Sequence, residues 1–184
     1  MLVEDTAIEG VKIITPKKHG DERGFFSEIY NLSTWEKAGL HYRFVQDSHS
    51  LSTNVGVIRG LHFQTEPAAQ GKLVRGARGR ILDVAVDLRR SSPTFGRHVA
   101  VELSADDWRQ LLVPIGFAHG FYVQEPNTEV LYKLTNFYSE ANDFGLAFDD
   151  PDLNIDWPVS PANALLSDKD RRWPRLRDLA QTFV

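Results

Sequence analysis

The sequence predicts an all-β fold, either a sandwich or a barrel, in one domain that spans residues 1–184. Apolar segments are short, and residues that favour turns (Gly, Pro, Asn and Asp) separate them along the chain. This spacing is typical of antiparallel strands, and signals for helices are few. A chain of 184 residues is also long enough to bury a substantial core.

Nine segments have the length and composition of β-strands. They cover residues 11–16, 24–30, 72–79, 80–88, 97–103, 109–114, 118–124, 129–138 and 145–149. Alternation is clearest over residues 80–88. There the two predicted faces consist of Ile81, Asp83, Ala85 and Asp87 on one side and Leu82, Val84, Val86 and Leu88 on the other.

Two short helical segments are predicted. Residues 33–38 begin with Ser33, an N-cap residue type, carry Glu36 at capping-box spacing, and end near Gly39. Residues 175–180 are predicted to form one late helical turn. Between them, residues 149–173 are rich in Pro and Asp, which predicts a long segment wrapped over the surface.

Composition and charge exclude several functional classes. The 42% apolar and 11% aromatic content indicates a folded chain, and the formal charge of −4 without a basic face argues against a nucleic-acid partner. The absence of cysteine excludes disulfides, thiolate catalysis and Cys-ligated zinc. No stretch approaches the roughly 20 apolar residues of a membrane span. Because Glu4 and Asp5 stand where a signal peptide carries cations, we expect a cytoplasmic protein with no membrane partner.

Polar residues unusual for their setting concentrate in residues 21–28, 46–64 and 115–124. In the first stretch, Arg23 and Glu28 flank a pair of phenylalanines. The other two stretches place histidines in apolar, strand-like segments. A polar side chain buried in such a setting needs a hydrogen-bond partner, so each histidine calls for an explanation.

The middle stretch contains Arg59 and His62 on either side of Gly60 and Leu61. Residues three apart on a regular strand point to opposite faces. Arg59 and His62 therefore converge only if Gly60 makes the strand irregular. His119, in the third stretch, lies close to two glycines inside an apolar run.

Taken singly, each candidate has an ordinary structural explanation. A histidine in an apolar strand is more often a hydrogen-bonded core residue than a catalyst. Alone, Arg23 would be interpreted as one partner of a surface ion pair. Tyr132 would be a core aromatic residue with a hydrated hydroxyl, and Lys72 would be a lysine that protects an edge strand from pairing. A functional interpretation depends on their occurrence together in one small β domain.

A metal site is another use for the histidines. His49, His62 and His119 could supply three ligands and Glu28 a fourth. However, the sequence has no His-x-His pair and no His-x-x-x-His helix to bring two imidazoles together. We therefore expect no metal and no other cofactor.

Seven motifs follow one another along the chain: DERGFF (21–26), QDSHS (46–50), GVIRGLHFQ (56–64), SPTFG (92–96), GFAHGF (116–121), NIDWP (154–158) and LLSDKD (165–170). With these motifs the sequence resembles the dTDP-4-dehydrorhamnose 3,5-epimerase family from about residue 10 to residue 173. The resemblance implies a cupin-type jelly-roll barrel with a few short helices, a homodimer with strands exchanged or added across the interface, and catalysis without metal.

The resemblance implies an isomerase that acts on a nucleotide sugar. The expected substrate is dTDP-4-dehydro-6-deoxyglucose, which is inverted at C3 and C5 to give dTDP-4-dehydrorhamnose for dTDP-rhamnose or related deoxysugar biosynthesis. By position, His62 resembles the base, Asp170 the carboxylate that orients it, Lys72 the cation that stabilises the enolate and Tyr132 the acid.

The resemblance also implies a set of substrate-binding residues: Arg23, Phe25, Glu28, Gln46, Ser48, Arg59, His119, Tyr138, Asp143 and Lys169. Phe26 is expected beside Phe25 as part of an apolar wall. Two positions depart from the family pattern, which usually has Asn in place of Ser48 and commonly Glu in place of Asp143. Both departures concern binding and nucleotide preference more than the chemistry.

The chemistry suits these residue types. A ketone at C4 acidifies the hydrogens on C3 and C5, and a neutral histidine with an ordinary pKa of roughly 6.5 can remove one. A carboxylate on the far ring nitrogen fixes the tautomer. Tyr132 has an ordinary pKa near 10 and stays protonated until it donates. Arg23 and Arg59 suit a diphosphate because a guanidinium fork matches its oxygens.

Three alternatives stay open. One is an epimerase of C3 or C5 alone, or a ketoisomerase, on the same scaffold. The second is a non-catalytic jelly-roll module that binds a sugar or a sugar nucleotide. The third is a metal-dependent dioxygenase of the cupin class.

Overall fold

The computed structural model describes residues 1–183, which contain thirteen strands, one α-helix and four 3₁₀ helices. The strands are β1 Leu2–Asp5, β2 Lys12–Thr15, β3 Lys18–Asp21, β4 Gly24–Ser27, β5 Gln46–Ser52, β6 Ile58–Gln64, β7 Lys72–Arg78, β8 Arg80–Asp87, β9 His98–Ser104, β10 Gln110–Val113, β11 Phe117–Val123, β12 Thr128–Leu134 and β13 Asp143–Gly145. Helix α1 spans Leu32–Lys37, and the 3₁₀ helices span Glu140–Asn142, Pro161–Asn163, Asp170–Arg172 and Leu176–Asp178.

The strands form two main antiparallel sheets and a separate hairpin. The six-stranded sheet has the order β1-β2-β10-β7-β12-β5, the five-stranded sheet has the order β13-β6-β11-β8-β9, and β3 pairs with β4 alone. Most neighbours in each sheet are distant in sequence, as in the Greek-key connections of a jelly roll. The fold is the all-β, cupin-type jelly roll that was predicted.

Apolar side chains from both sheets meet in one core. Val74 and Leu111 come from the six-stranded sheet, whereas Ile81, Val101 and Phe121 come from the five-stranded sheet. All five are less than one-tenth exposed. The sheets therefore pack face to face, and a polar cavity between them lies beside this core.

Strand β8 confirms the alternation that its sequence predicted. Ile81 and Ala85 point into the core between the sheets, whereas Val84, Val86 and Leu88 belong to a second apolar cluster. The second cluster includes Leu153, Leu179 and partly buried Trp157. The predicted surface segment 149–173 is thus only partly a surface wrap, because it also buries apolar side chains against the outer side of β8.

Helix α1 covers the outer side of the six-stranded sheet, where Trp35 is 1% exposed. Its N-cap is Asn31 and not the predicted Ser33, because the Thr34 backbone N–H donates to Asn31 Oδ1 at 3.1 Å. Asparagine and serine are equally good N-cap residues, so composition alone does not choose between them. Within residues 1–183, no helix is long and apolar enough to cross a membrane.

Four strands lie outside the predicted segments: β1, β3, β5 and β6. Strand β5 is polar on both faces, so it lacks the apolar alternation that identifies most strands. The last predicted strand, residues 145–149, is displaced: β13 covers Asp143–Gly145 instead. The predicted late turn at residues 175–180 is present as the 3₁₀ helix Leu176–Asp178.

The SPTFG motif has a structural explanation. The hydroxyls of Ser92 and Thr94 donate to Asp87 Oδ2 at 2.7 and 2.6 Å, and Arg89 donates to both carboxylate oxygens. Burial acts to raise the pKa of Asp87, but these hydrogen bonds outweigh it and lower the pKa to about 2. The motif thus secures the turn between β8 and β9.

Candidate active site

A cavity of about 480 Å³ opens between the two main sheets. Strands β5, β7 and β12 line it from the six-stranded sheet, and strands β6 and β11 line it from the five-stranded sheet. The loop before the third 3₁₀ helix, together with the first residue of that helix, lines the remaining side. Its lining residues are Gln46, Ser48, Ser50, Arg59, His62, Gln70, Lys72, His119, Phe121, Tyr132, Leu134, Tyr138, Ser167, Lys169 and Asp170.

Gly60 lets Arg59 and His62 face the same cavity, as the sequence predicted. The register between β6 and β11 shifts by one residue at this point, because His62 pairs with His119 while Arg59 pairs with Phe121. Gly60 has φ +141°, and a Cβ there would lie 2.5 Å from the Cα of Gly120. Any larger residue would therefore separate the two strands.

His62 forms a hydrogen-bonded pair with Asp170. Its Nε2 lies 2.5 Å from Asp170 Oδ1, and the His62 side chain is 33% exposed whereas that of Asp170 is 6% exposed. Trp173 Nε1 donates to the same oxygen at 3.3 Å, and the Asp170 backbone N–H donates to Ser167 Oγ. Burial acts to raise the pKa of Asp170, but the hydrogen bond and charge of His62 outweigh it, so the pKa is lowered. An ionised carboxylate holds the proton on Nε2 and leaves Nδ1 free as an acceptor.

Lys72 projects from β7, and its Nζ donates to the backbone oxygen of His62 at 3.1 Å. Removal from water lowers the pKa of Lys72 to about 8, against the opposing charges of Asp143 and Asp83. Lys72 is therefore mainly a cation at neutral pH, and a rise in pH above about 8 would neutralise most of it.

Tyr132 lies on β12, in the sheet opposite His62. Its hydroxyl is 2.8 Å from Ser50 Oγ on the neighbouring strand β5. Burial raises the pKa of Tyr132 to about 12, although Ser50 and the charge of Arg59 act in the other direction. The phenol is thus fully protonated over the ordinary working range and can act as a proton donor.

His119 forms a second histidine–carboxylate pair, with Asp83. Its Nε2 lies 2.7 Å from Asp83 Oδ1, and the two side chains are 4% and 0% exposed. Burial lowers the pKa of His119, and the charge and hydrogen bond of Asp83 only partly offset this effect. Asp83 was placed on a strand face by its sequence pattern but was not predicted as a site residue.

Most of the predicted substrate-binding residues line or adjoin the cavity. Gln46 accepts from the Tyr138 backbone N–H at 3.0 Å and donates to Ser48 Oγ at 3.3 Å. Asp143 Oδ2 accepts from the Tyr138 hydroxyl at 3.0 Å and from Lys169 Nζ at 2.5 Å. The two positions that depart from the family pattern, Ser48 and Asp143, thus belong to one network around Tyr138.

Arg59 reaches the cavity wall from β6. Its Nε donates to Ser52 Oγ and its Nη2 donates to the backbone oxygen of Leu51, both at 3.1 Å. Neither partner is a carboxylate, so the positive charge of Arg59 is available to an anionic ligand.

Arg23, Phe25 and Glu28 do not line this cavity in one chain. Arg23 lies at the exposed turn of the β3–β4 hairpin, where it forms a bidentate ion pair with Asp21. Phe25 is 55% exposed and makes an edge contact with Trp108 at 4.7 Å between ring centroids. The hairpin pairs only with itself and adds no strand to either main sheet, which a motif alone does not reveal.

Sequence reasoning missed five lining residues: Ser50, Gln70, Phe121, Leu134 and Ser167. Ser50, Phe121 and Leu134 were accessible to a simple rule, because each lies two residues after a predicted site residue on the same strand face. Gln70 and Ser167 carried no comparable signal.

The three histidines considered as metal ligands do not come together. His49 lies on the exposed side of β5, where its Nε2 is 3.0 Å from Glu129 Oε2. His62 and His119 are neighbours but each is paired with its own aspartate. Within the part of the chain described, no group of three or more His, Asp or Glu side chains is arranged to hold a metal ion.

The jelly roll holds a cavity in which a histidine of one sheet, paired with Asp170 of a 3₁₀ helix, faces a protonated tyrosine of the other sheet. This arrangement is suited to acid–base proton transfer, the chemistry of an isomerase of the epimerase type. A sequence model of the dTDP-4-dehydrorhamnose 3,5-epimerase family matches residues 5–178. The chain belongs to this family.

Individual relatives agree with the family match. The dTDP-4-dehydrorhamnose 3,5-epimerase of Shigella flexneri is 55% identical over 171 residues, which cover 92% of this chain and 93% of the relative. The crystal structure of dTDP-6-deoxy-D-glucose-3,5-epimerase from Legionella pneumophila, in complex with dTDP-4-keto-L-rhamnose, superposes with a TM-score of 0.92 at 45% identity, covering 97% and 94% of the two chains. The crystal structure of dTDP-4-dehydrorhamnose 3,5-epimerase from Bacillus anthracis, with TDP and PPi bound, superposes with a TM-score of 0.92 at 48% identity. The match covers 95% of this chain and 99% of that chain.

Proposed function

We propose that this chain binds dTDP-4-dehydro-6-deoxyglucose in the cavity and inverts C3 and C5, with His62 as base and Tyr132 as acid. The observation that carries the proposal is the placement of these two groups on opposite sheets that face one cavity. Inversion requires removal of a proton from one face of a carbon and return of a proton to the other face. A sugar ring held between the sheets has one group on each side.

His62 begins the reaction. With Nε2–H bonded to Asp170, the unprotonated Nδ1 takes the proton from C3 or C5, and the electron pair of that C–H bond moves to O4 as an enolate. The resulting imidazolium is stabilised by the ionised carboxylate of Asp170.

Lys72 stabilises the enolate. An ammonium held in a partly desolvated pocket offers its N–H groups to the developing charge on O4 without first reorganising water. Its pKa of about 8 also keeps the ammonium positive at neutral pH. The carbanion then takes the phenolic proton of Tyr132 from the opposite face. His62 and Tyr132 return to their starting protonation states by exchange with solvent.

The same cavity offers binding groups for the rest of the nucleotide sugar. Arg59 and Lys169 both line the cavity, and Arg59, which has no carboxylate partner, is the cation assigned to the diphosphate. Tyr138 is 57% exposed at the rim, and its ring is available for stacking on thymine. Support for this class of ligand comes from the Legionella pneumophila relative, whose structure holds dTDP-4-keto-L-rhamnose.

A homodimer is part of the proposal. Arg23 and Phe25 resemble ligand residues of the family but lie on an exposed hairpin away from their own cavity. A second copy that receives this hairpin at its cavity would bring them to the substrate. Sedimentation is expected to show two chains per particle.

Mixing two inactive variants tests the shared site directly. His62→Ala removes the base and Arg23→Ala removes a contact supplied by the partner. After subunit exchange of an equal mixture, about a quarter of the cavities would contain both wild-type residues, and activity would return to that extent. If the mixture stays as inactive as its components, the hairpin does not complete a partner's cavity.

The function itself is tested by incubation with dTDP-4-dehydro-6-deoxyglucose in heavy water and location of deuterium by NMR. Wild-type protein is expected to introduce deuterium at both C3 and C5. His62→Ala is expected to abolish both exchanges, whereas His49→Ala, which changes an exposed histidine, keeps the wild-type rate. Wild-type exchange in a folded His62→Ala protein would overturn the base assignment, and exchange at one carbon alone would identify a single-position epimerase.

A further inference from the structure

Asp83 is a buried carboxylate whose hydrogen bonds are incomplete. Its side chain is 0% exposed, and its Oδ1 is 2.7 Å from His119 Nε2. Its other oxygen, Oδ2, is buried and has no hydrogen-bond partner within residues 1–183. Such a group costs free energy of folding unless it serves another purpose, so its presence calls for an explanation.

The neighbours of Asp83 are the reacting groups of the cavity. Strand β11 pairs directly with β8, which carries Asp83, and places His119 opposite His62 on β6. The charge of Asp83 also raises the pKa of Lys72 on β7 and of Tyr132 on β12. Asp83 shares a strand face with Ile81 and Ala85, so it points between the two sheets. It lies next to His119 but does not itself line the cavity.

We propose that Asp83 is a positioning residue of the epimerase, which fixes the tautomer of His119 and supports the positive charge of Lys72. This inference rests on the proposed function. The carboxylate accepts the proton on Nε2, so the Nδ1 of His119 is an acceptor that faces the substrate. A neutral acceptor at that position suits a sugar hydroxyl. The arrangement repeats that of His62 and Asp170, with a binding histidine in place of a base.

The effect on Lys72 follows from the charges around it. Burial lowers the pKa of Lys72, and Asp143 and Asp83 both act to raise it. The same charges act on the pKa of His119, which Asp83 raises and which Lys72 and His62 lower. Asp143 is already held by Lys169 and Tyr138. Loss of the Asp83 charge therefore removes support that Asp143 does not replace.

The Asp83→Asn substitution tests the inference, with Asp150→Asn as a matched control. Asp150 is also buried, at 2% exposure, but it accepts backbone N–H groups of Asp152 and Leu176 and is not among the residues that line the cavity. Asp83→Asn is expected to lower kcat about ten- to a hundredfold, as for carboxylates that orient metal-bound histidines. It is also expected to move the alkaline fall in kcat/KM to lower pH by roughly one unit. Asp150→Asn is expected to change neither.

Nitrogen NMR of histidine-labelled wild-type protein gives a readout that needs no turnover and no folded Asp83→Asn protein. The His119 signals, assigned by their loss in His119→Gln, are expected to show a neutral ring with the proton on Nε2. A proton on Nδ1, or a charged ring at neutral pH, would overturn the inference. Unchanged kcat and pH profile in a folded Asp83→Asn protein would also overturn it. Failure of the wild-type protein to invert its substrate would instead reject the proposed function and leave the tautomer result standing.

Discussion

The charge of Lys72 sets an expected alkaline limit to the reaction. Its pKa is lowered to about 8 by removal from water, and in the proposed mechanism the group acts as the protonated ammonium. The active fraction is therefore about nine-tenths at pH 7 and about one-tenth at pH 9, following the ordinary titration of a single group. We expect kcat/KM to fall about tenfold between these two pH values.

Replacement of Lys72 by methionine removes the ammonium and keeps the side-chain length. The loss of one donor to a developing oxyanion commonly costs about 3 to 4 kcal/mol, or roughly two to three orders of magnitude in kcat. The remaining activity of Lys72→Met is expected to show no alkaline fall near pH 8, because the group that titrates there is gone.

The assay is deuterium incorporation measured from pH 6 to pH 10, with the rate without enzyme subtracted at each pH. Lys133→Met is the control, because Lys133 lies on β12 but pairs with Asp47 and does not line the cavity. It is expected to reproduce the wild-type profile. An alkaline fall near pH 8 that persists in Lys72→Met would refute the assignment of that limit to Lys72.

Three further predictions follow from the same geometry. Tyr132→Phe is expected to exchange deuterium into the substrate faster than it forms inverted product, because carbanion formation does not need the acid. NMR measures both rates, and an equal loss of the two would argue against Tyr132 as the acid. Asp87→Ala is expected to lower the free energy of unfolding by about 3 to 5 kcal/mol in urea titrations, since it leaves Arg89 without its buried partner. In the wild type, the Asp87 contribution is present above pH about 4 and is lost as the pH falls towards its folded pKa of about 2. Excess EDTA is expected to leave activity unchanged; loss of activity together with stoichiometric metal in elemental analysis would show a metal enzyme.

The sequence predicted strands correctly where their residues alternate between two faces with one clear period. Strand β8 alternates between two apolar clusters, so its pattern and its structure agree. Strand β5 was missed for the opposite reason. Its inward side carries Gln46, Ser48 and Ser50 because it lines a polar cavity, and its outward side is exposed. A strand that serves a site loses the apolar signal by which strands are recognised.

The site shows a similar division between local and distant information. The convergence of Arg59 and His62 could be predicted because it depends on Gly60, which lies between them. The partner of His62 could not, because Asp170 is 108 residues away and only the family resemblance suggested it. Asp83 gave no signal at all, since an aspartate in an alternating strand is ordinarily a solvent-facing residue. Its significance appears only when β11 brings His119 beside it.

The distribution of charge suggests how an acidic chain binds a dianionic ligand. The net charge is −4, so the background field opposes a diphosphate. In the cavity, Lys169 is held by Asp143, whereas Arg59 donates only to neutral oxygens. Arg23, on the hairpin, is held by Asp21 at an exposed site where such a pair is weak. In the proposed complex, a diphosphate therefore attracts Arg59 directly and Arg23 by exchange of partners, while Lys72 and the two histidine–aspartate pairs act on the sugar.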